Sequence, residues 1–473
     1  MLGWNGPLNG CVRDPERRHE HEVNVRILLV VHQFFPFFTA GTEVLTLGVA
    51  RELRRRGHEV NIVAGHPGKN DLMESERWVR DQFDGFDIDR FHHADVPMHG
   101  QRSIIEVGSD NALAAQHFAG ILHRFRPDQV HYFHFNRLGT GLILAAEAAG
   151  IRQSFTPTDF WAICPMAQLR LPDGSLCHGP SQHSGNCIKH FGQSPSRVAP
   201  IRFISRVMPR GLADGLAACV SDREATWHPM LAEIRALRER APKTISRLNR
   251  LRHIFVPNAF MRAKLVDYGL RSDLMVESAF GVELPDTSSK RCGYNQADRP
   301  LRIGFIGTLA PHKGAHVLLS AFSLLPKGIC TLRIYGDLQD FPDYSAGLLA
   351  KAAGRSDVYF AGTFPNAAIF DVLADLDALV IPSLWYENTP LVAYSAQAVG
   401  KIIVASDHPG IAAAVHHEVD GLLFPPGNAR VLAQTLHRLA VDKNLQERLA
   451  AYVPLPRSIG SYVDDLIELW GFA

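Results

Sequence analysis

Net charge, long apolar runs and cysteine are all scarce in this chain, and each scarcity excludes something. The 49 Lys and Arg nearly cancel the 48 Asp and Glu, so no whole-chain field gathers nucleic acid, and no nucleic-acid partner is expected. No apolar run approaches the ~20 residues that span a bilayer. The first 23 residues are polar and lack the apolar stretch of a signal peptide. They are expected to form a flexible tail on a cytoplasmic protein. Seven cysteines in 473 residues do not make the disulfide framework of a small secreted domain. What remains is an ordinary globular composition, 46 % hydrophobic and 21 % charged. The chain is too long for one core, so two domains are expected.

Short apolar runs recur, each followed by a turn and a helical period. Val25–Val31 and Glu59–Ala64 read as strands flanking a helix over Thr42–Arg56 that Gly57 ends. Gln129–His134 is a further strand, with a helix from about Leu138 to Ala149. The pattern restarts near residue 300 with strands at Leu301–Ile306, Thr331–Tyr335, Val358–Phe360, Ala378–Ile381 and Lys401–Ala405, separated by helical stretches. Strands apolar on both faces that alternate with helices imply parallel sheets, and two such arrays imply two doubly wound α/β domains. The polar stretch 286–300 reads as their linker. The first domain is expected over 24–285, the second over 301–452, and a last segment over 453–473.

Two loops carry chemistry. In GFIGTLAPHKGAHVLL (304–319) a buried strand ends at Gly307, and a short loop presents Lys313 and Gly314 at a helix start. Free amides there attract phosphate, and Lys313 adds a mobile charge. The Gly-x-x-x-x-Gly-Lys-Ser/Thr spacing of a P-loop is absent, and a solvated lysine on a strand-to-helix turn would look the same. In ALVIPSLWYENTPLVAYSAQAVGK (378–401) a second strand ends at Ile381–Pro382, and the loop carries Glu387 into a helix beginning near Thr389–Pro390. That carboxylate can accept sugar hydroxyls, or it can be a helix N-terminal charge. Both loops leave carboxyl ends of strands in one parallel sheet, where open α/β folds bind ligands.

At these residues the chain resembles the retaining GT-B glycosyltransferases of the large family that includes sucrose synthase and bacterial mannosyltransferases. The resemblance covers roughly residues 25–450. It is carried by Gly307 through Gly314, Tyr335-Gly336-Asp337, Val358 through Gly362, Pro382-Ser383 with Glu387, and Asp420 through Pro425; in the first half, residues 40–60 are similar to the family's glycine-rich loop and first helix. It implies two Rossmann-like domains facing across a cleft. A nucleoside-diphosphate sugar would be pinned in the second domain and a sugar or lipid-linked acceptor held by the first. Lys313 would neutralise the leaving diphosphate in place of a catalytic metal. Glu387 would hold sugar hydroxyls. Gly307, Thr308, Gly314, Gly336, Asn388, Thr389, Leu391 and Ser395 complete the implied donor site; Gly41, Thr42 and Asp159 line the acceptor side. The implied final helix, Tyr462–Trp470, crosses back to the first domain.

Three departures from that pattern bear on activity. Thr308 stands where the family has arginine, Ser395 where it has a second glutamate, and Thr158 where it has the histidine of a His-Asp pair. They keep open an alternative in which the chain is a catalytically degraded homologue serving as a binding or scaffold subunit. Cys164, Cys177, Cys187 and His190, in an insert near 160–192, have spacings that suit a structural zinc ion; reduced, partly buried thiols are the alternative. Two Asp-x-Asp triplets, at Asp87 and Asp375, raise a metal reading but sit where ordinary acids also fall. Residues 201–252 hold 11 Lys or Arg against 5 Asp or Glu. The basic stretch from Trp227 to Arg252 within them is expected either to lie peripherally on the inner face of a membrane or to pack as a solvated helix.

Overall fold

Strands without a polar face need cover on both sides, and that requirement builds both halves of the molecule. The computed structural model describes residues 24–221, 228–285 and 299–472. The tail over 1–23, Trp227 and linker residues 286–298 lie outside the described residues. Eight strands form the first sheet: β1 (Arg26–Val31), β2 (Glu59–Pro67), β3 (Trp78–Phe83), β4 (Phe86–His93), β5 (Gln129–Tyr132), β6 (Arg152–Phe155), β7 (His253–Val256) and β8 (Met275–Glu277). Their order is β3-β4-β2-β1-β5-β6-β7-β8, and only β3 runs antiparallel to its neighbour. All but the first residue of β1 are buried, with Leu28 and Val30 in one apolar core and Ile27 and Leu29 in another on the opposite face.

The second sheet holds β9 (Leu301–Ile306), β10 (Cys330–Tyr335), β11 (Val358–Gly362), β12 (Ala378–Ile381), β13 (Ile402–Ser406) and β14 (Gly421–Phe424). It is parallel throughout, in the order β11-β10-β9-β12-β13-β14. This is a doubly wound order whose direction reverses between β9 and β12, the switch point at which such sheets open a crevice. In the first sheet the corresponding reversal falls between β1 and β5.

The last helix, Ile459–Trp470, returns to the first domain. Tyr462, Val463, Leu466 and Trp470 join a core with β1. Within that core the Tyr462 hydroxyl lies 2.7 Å from the Thr156 hydroxyl, and the Trp470 indole donates to Ser154 at 2.8 Å.

Packing bears on two alternatives left open by the sequence. The helix Pro229–Leu248 buries Leu237, Ala241, Ile245 and Leu248. Its Arg240 lies over the Trp161 ring at 4.5 Å, and Arg247 bonds Asp110. That helix packs on the first domain along this face, as the solvated-helix alternative expects. The Asp-x-Asp acids are spent on arginines. Asp87 and Asp89 bond Arg80 and Arg124. Asp377 is buried, yet Arg299 and Arg302 hold its carboxyl down at about 2, at the amino end of β12 and away from the crevice.

Candidate functional site

The chain leaves β9 through Gly307 and leaves β12 through Pro382, and the two loops are stitched together. Gly314 has φ 76°, and a Cβ on it would stand 1.9 Å from the Pro382 carbonyl oxygen. Only glycine permits that approach. The Leu384 amide donates to the His312 carbonyl at 2.8 Å. Gly336, at the end of β10, closes the same corner, since a Cβ there would lie 2.4 Å from the Gly307 oxygen. Thr308 is exposed in this loop.

This stitching brings Lys313 and Glu387 into contact. Lys313 Nζ donates to Glu387 Oε1 at 2.8 Å, and the same oxygen accepts from Ser383 Oγ at 2.7 Å and Trp385 Nε1 at 2.8 Å. Glu387 is buried, which disfavours its charge. The Lys313 ammonium and the hydrogen bonds outweigh burial and hold the carboxyl below its ordinary range. The ammonium also lies 5.0 Å from the Trp385 ring centroid. Beside it, burial and the Lys313 charge push His312 down to about 4, so this imidazole is neutral at pH 7.

The segment after Glu387 is held by the first domain. Tyr386 packs on Phe160 and Phe260. Asn258 donates to the Asn388 carbonyl at 2.6 Å, and the Asn388 amide donates to the Pro157 carbonyl at 3.2 Å. Thr389 Oγ1 bonds the Asn388 carbonyl at 2.6 Å. The polar ends of both side chains therefore brace the loop; the backbone amides remain the groups suited to a ligand. The helix Leu391–Ala398 starts here, and the first N–H groups of a helix have no partner within it. Across the cleft stands Gly41, where a Cβ would meet Leu391 at 3.8 Å. The Thr42 hydroxyl donates to Thr158 at 2.9 Å. Ser395 is half-buried, and its hydroxyl is spent on the Leu391 carbonyl at 3.3 Å. It therefore does not reach out as a glutamate would.

On the first-domain side, the switch point between β1 and β5 holds a cluster that the sequence did not announce. His32 follows β1 and His134 follows β5, and their ring centroids lie 4.1 Å apart, the planes tilted by 37°. His134 Nε2 lies 3.0 Å from Asp159 Oδ2. The acid beside Thr158 therefore does have an imidazole partner, supplied from another strand end. Behind His32 lies Glu43, fully buried, 3.7 Å from His32 Nε2, with neither carboxylate oxygen in a hydrogen bond. Burial raises the Glu43 carboxyl to about 7. Burial, His134 and Arg137 push His32 well below its ordinary range, so it is neutral at pH 7. Uncharged imidazole edges and a carboxyl near its midpoint are hydrogen-bonding groups suited to sugar hydroxyls. In sequence, Glu43 reads as a first-turn helix acid. The only available signal for His134 was its place at the end of an apolar run. His131, three positions earlier, is by contrast a core residue with Ser154 and Thr156 on its two nitrogens.

Glu43 sets up a pH-dependent stability. An unfolded glutamate titrates near 4.5 and this one at about 7, so between those values the folded state keeps a proton that the unfolded state has released. Stability is therefore lost as pH rises from 4.5 to 7, by at most about 3 kcal/mol, and the loss is complete above that window. Glu43→Gln is expected to gain on the wild type between pH 5 and pH 8 in urea titrations. An equal difference at both pH values would remove the titrating group from this position.

The insert's thiols are free. Cys164, Cys177, Cys187 and His190 line one small cavity. Burial and mutual repulsion raise the Cys187 thiol far above its ordinary value, and burial raises Cys164. Among the described residues, however, no three candidate ligands are placed to hold one metal ion.

Comparison with known proteins follows the same two halves. The model of the family "Glycosyl transferases group 1" matches residues 287–454. The model of the "Glycosyl transferase 4-like domain" matches residues 40–186. The chain is 24 % identical over 421 residues to the amylovoran biosynthesis glycosyltransferase AmsK of Erwinia amylovora, covering 85 % of this chain and 88 % of AmsK. HepE of Anabaena, solved in complex with UDP, superposes with a TM-score of 0.59 at 16 % identity over 94 % of this chain and 99 % of HepE. Sucrose-phosphate synthase from Thermosynechococcus elongatus superposes with a TM-score of 0.61 at 15 % identity over 94 % and 98 % of the two chains. At such identities these superpositions speak for the fold.

Proposed function

The chain belongs to the group 1 glycosyltransferases and has the GT-B architecture, and from that premise we propose that it moves a sugar from a nucleoside-diphosphate sugar to a carbohydrate acceptor, free or lipid-linked, with retention of configuration. The observation that carries this reading is the Lys313–Glu387 pair at the switch point of the second sheet. It puts one cation where a diphosphate would meet a helix start, and one carboxylate where sugar hydroxyls would lie. Lys313 supplies the positive charge for the departing diphosphate, so the reaction asks for no catalytic metal. Gly307, Thr308, Gly314 and Gly336 shape the phosphate corner. The amides of Asn388, Thr389 and Leu391 meet sugar and phosphate, and Ser395 lies toward the ribose. On the other side of the cleft, Gly41, Thr42, His32 and the His134–Asp159 pair receive the acceptor.

A thermal-shift screen of nucleoside diphosphates and their sugars, followed by nucleotide release with the stabilising donors, tests the proposal. A ligand that binds only the folded state raises the melting temperature with its occupancy. HepE, with its bound UDP, makes uridine nucleotides the first choice for the panel. Stabilisation without nucleotide release, across a panel of acceptors, would favour the scaffold alternative. No stabilisation by any nucleotide would overturn the donor site.

For the insert we propose a structural zinc tie that draws Cys164, Cys177, Cys187 and His190 inward from the cavity they already line. Protein purified without chelator is then expected to carry about one zinc equivalent, and chelation should lower its melting temperature. Elemental analysis showing no metal leaves a cavity of reduced thiols.

A further inference from the structure

We propose that the surface formed by the helices Ala199–Val207 and Arg210–Cys219 docks on an anionic lipid bilayer. Val198, Phe203, Ile204, Val207, Leu212 and Leu216 are each more than half exposed there. They are not scattered. Phe203 and Val207 are one helical turn apart with Ile204 beside them, and Leu212 and Leu216 are again one turn apart. Exposed apolar helix edges of this kind mark an interaction surface.

The first helix is presented to its surroundings rather than packed. None of its residues is buried. It is attached along one edge only: a Cβ on Gly192 would run into Ser205 and approach Ile201, and Lys189 donates to the Met208 carbonyl. The edge with Ile201, Ser205 and Met208 thus faces the protein, and the edge with Phe203, Ile204 and Val207 faces away. In the second helix Ala213 and Ala217 are buried, which turns Leu212 and Leu216 outward.

Charge identifies the partner. Residues 197–210 contain four arginines and no acid. Arg197 is spent on Glu233. Arg202 and Arg206 lie along the flank of the apolar edge, and neither has an ion-pair partner among the described residues. An apolar edge bordered by cations suits the plane between acyl chains and acidic headgroups. No helix among the described residues is long and apolar enough to cross a membrane, so the contact lies on the bilayer surface. The inference is read out as binding, and it stands or falls independently of turnover.

Flotation of the full chain tests it, using vesicles of phosphatidylcholine alone and of phosphatidylcholine with about one third phosphatidylglycerol. Partitioning is expected to be at least about tenfold stronger on the anionic vesicles and to weaken in high salt. A Phe203→Ser/Ile204→Ser/Val207→Ser variant and an Arg202→Glu/Arg206→Glu variant should each lose about tenfold or more, with unchanged melting temperatures because the replaced side chains are exposed. No binding to the anionic vesicles would overturn the proposal, as would binding that neither variant weakens. So would a dimer in light scattering that the triple serine variant converts to monomer, because the patch would then belong to a second copy.

Discussion

Lys313→Ala is expected to weaken the binding of a nucleoside diphosphate by about 1.5–3 kcal/mol, the range for hydrogen bonds to charged groups. Calorimetry reads that as roughly a ten- to 150-fold rise in Kd. The substitution also touches the folded protein itself. Glu387 Oε1 is buried and takes three donors, of which Lys313 is the only cation. Removing it leaves a desolvated carboxylate with two neutral partners, at an expected cost of about 1–3 kcal/mol in stability because Lys313 is itself partly exposed. The two effects separate in the double variant. Lys313→Ala/Glu387→Gln has no uncompensated charge, so its melting temperature should recover while its nucleotide affinity stays low. An unchanged Kd in the single variant would remove Lys313 from the phosphate site. Recovery of affinity in the double variant would mean that the loss came from local unfolding.

The same pair shows how far sequence reasoning reached. Lys313 and Glu387 lie 74 positions apart, yet each follows an apolar strand and precedes a helix. A parallel sheet brings such strand ends together whenever their strands are neighbours. Both signals were therefore legible, and β9 and β12 pair directly. Less legible were interactions whose partners share no local pattern. The departure at Thr158 was readable, but the placing of His134 beside Asp159 was not. That contact exists because β5 and β6 pair in register and leave their ends side by side. Asn388 and Thr389 looked like ligand contacts because of their place in a loop. Their side chains instead grip Pro157, Asn258 and one another, a consequence of how the domains meet. The basic composition of 201–252 did not show that the helix Pro229–Leu248 buries one face against the first domain. Net charge counts arginines, but it does not distinguish Arg240, stacked on Trp161, from Arg202 at the surface.

Glu387→Gln is expected to lower turnover by on the order of a hundredfold while leaving the nucleotide bound. The carboxylate is fixed by Ser383 and Trp385 as well as by Lys313, so its position does not depend on a ligand arriving. A sugar whose hydroxyls meet a preset acceptor has its reacting carbon placed with it, and a misplacement of about 1 Å can cost on the order of a hundredfold in rate. Glutamine keeps the size and one carbonyl acceptor, but it turns an amide donor toward one set of partners and weakens the hold on the Lys313 ammonium. Ser395 provides the comparison. Its hydroxyl is tied to the Leu391 carbonyl at 3.3 Å, about one turn into the helix that follows the Glu387 loop, where the ribose would lie. Ser395→Glu should therefore tighten nucleotide binding, since a longer charged acceptor reaches hydroxyls that serine does not, and it should leave a Glu387→Gln background as slow as before. Steady-state kinetics on the two single variants and the double, with whichever donor the wild type uses, decide the assignment. Full activity in Glu387→Gln would place the reacting centre elsewhere in the cleft, and rescue of that variant by Ser395→Glu would show that the two positions share one role.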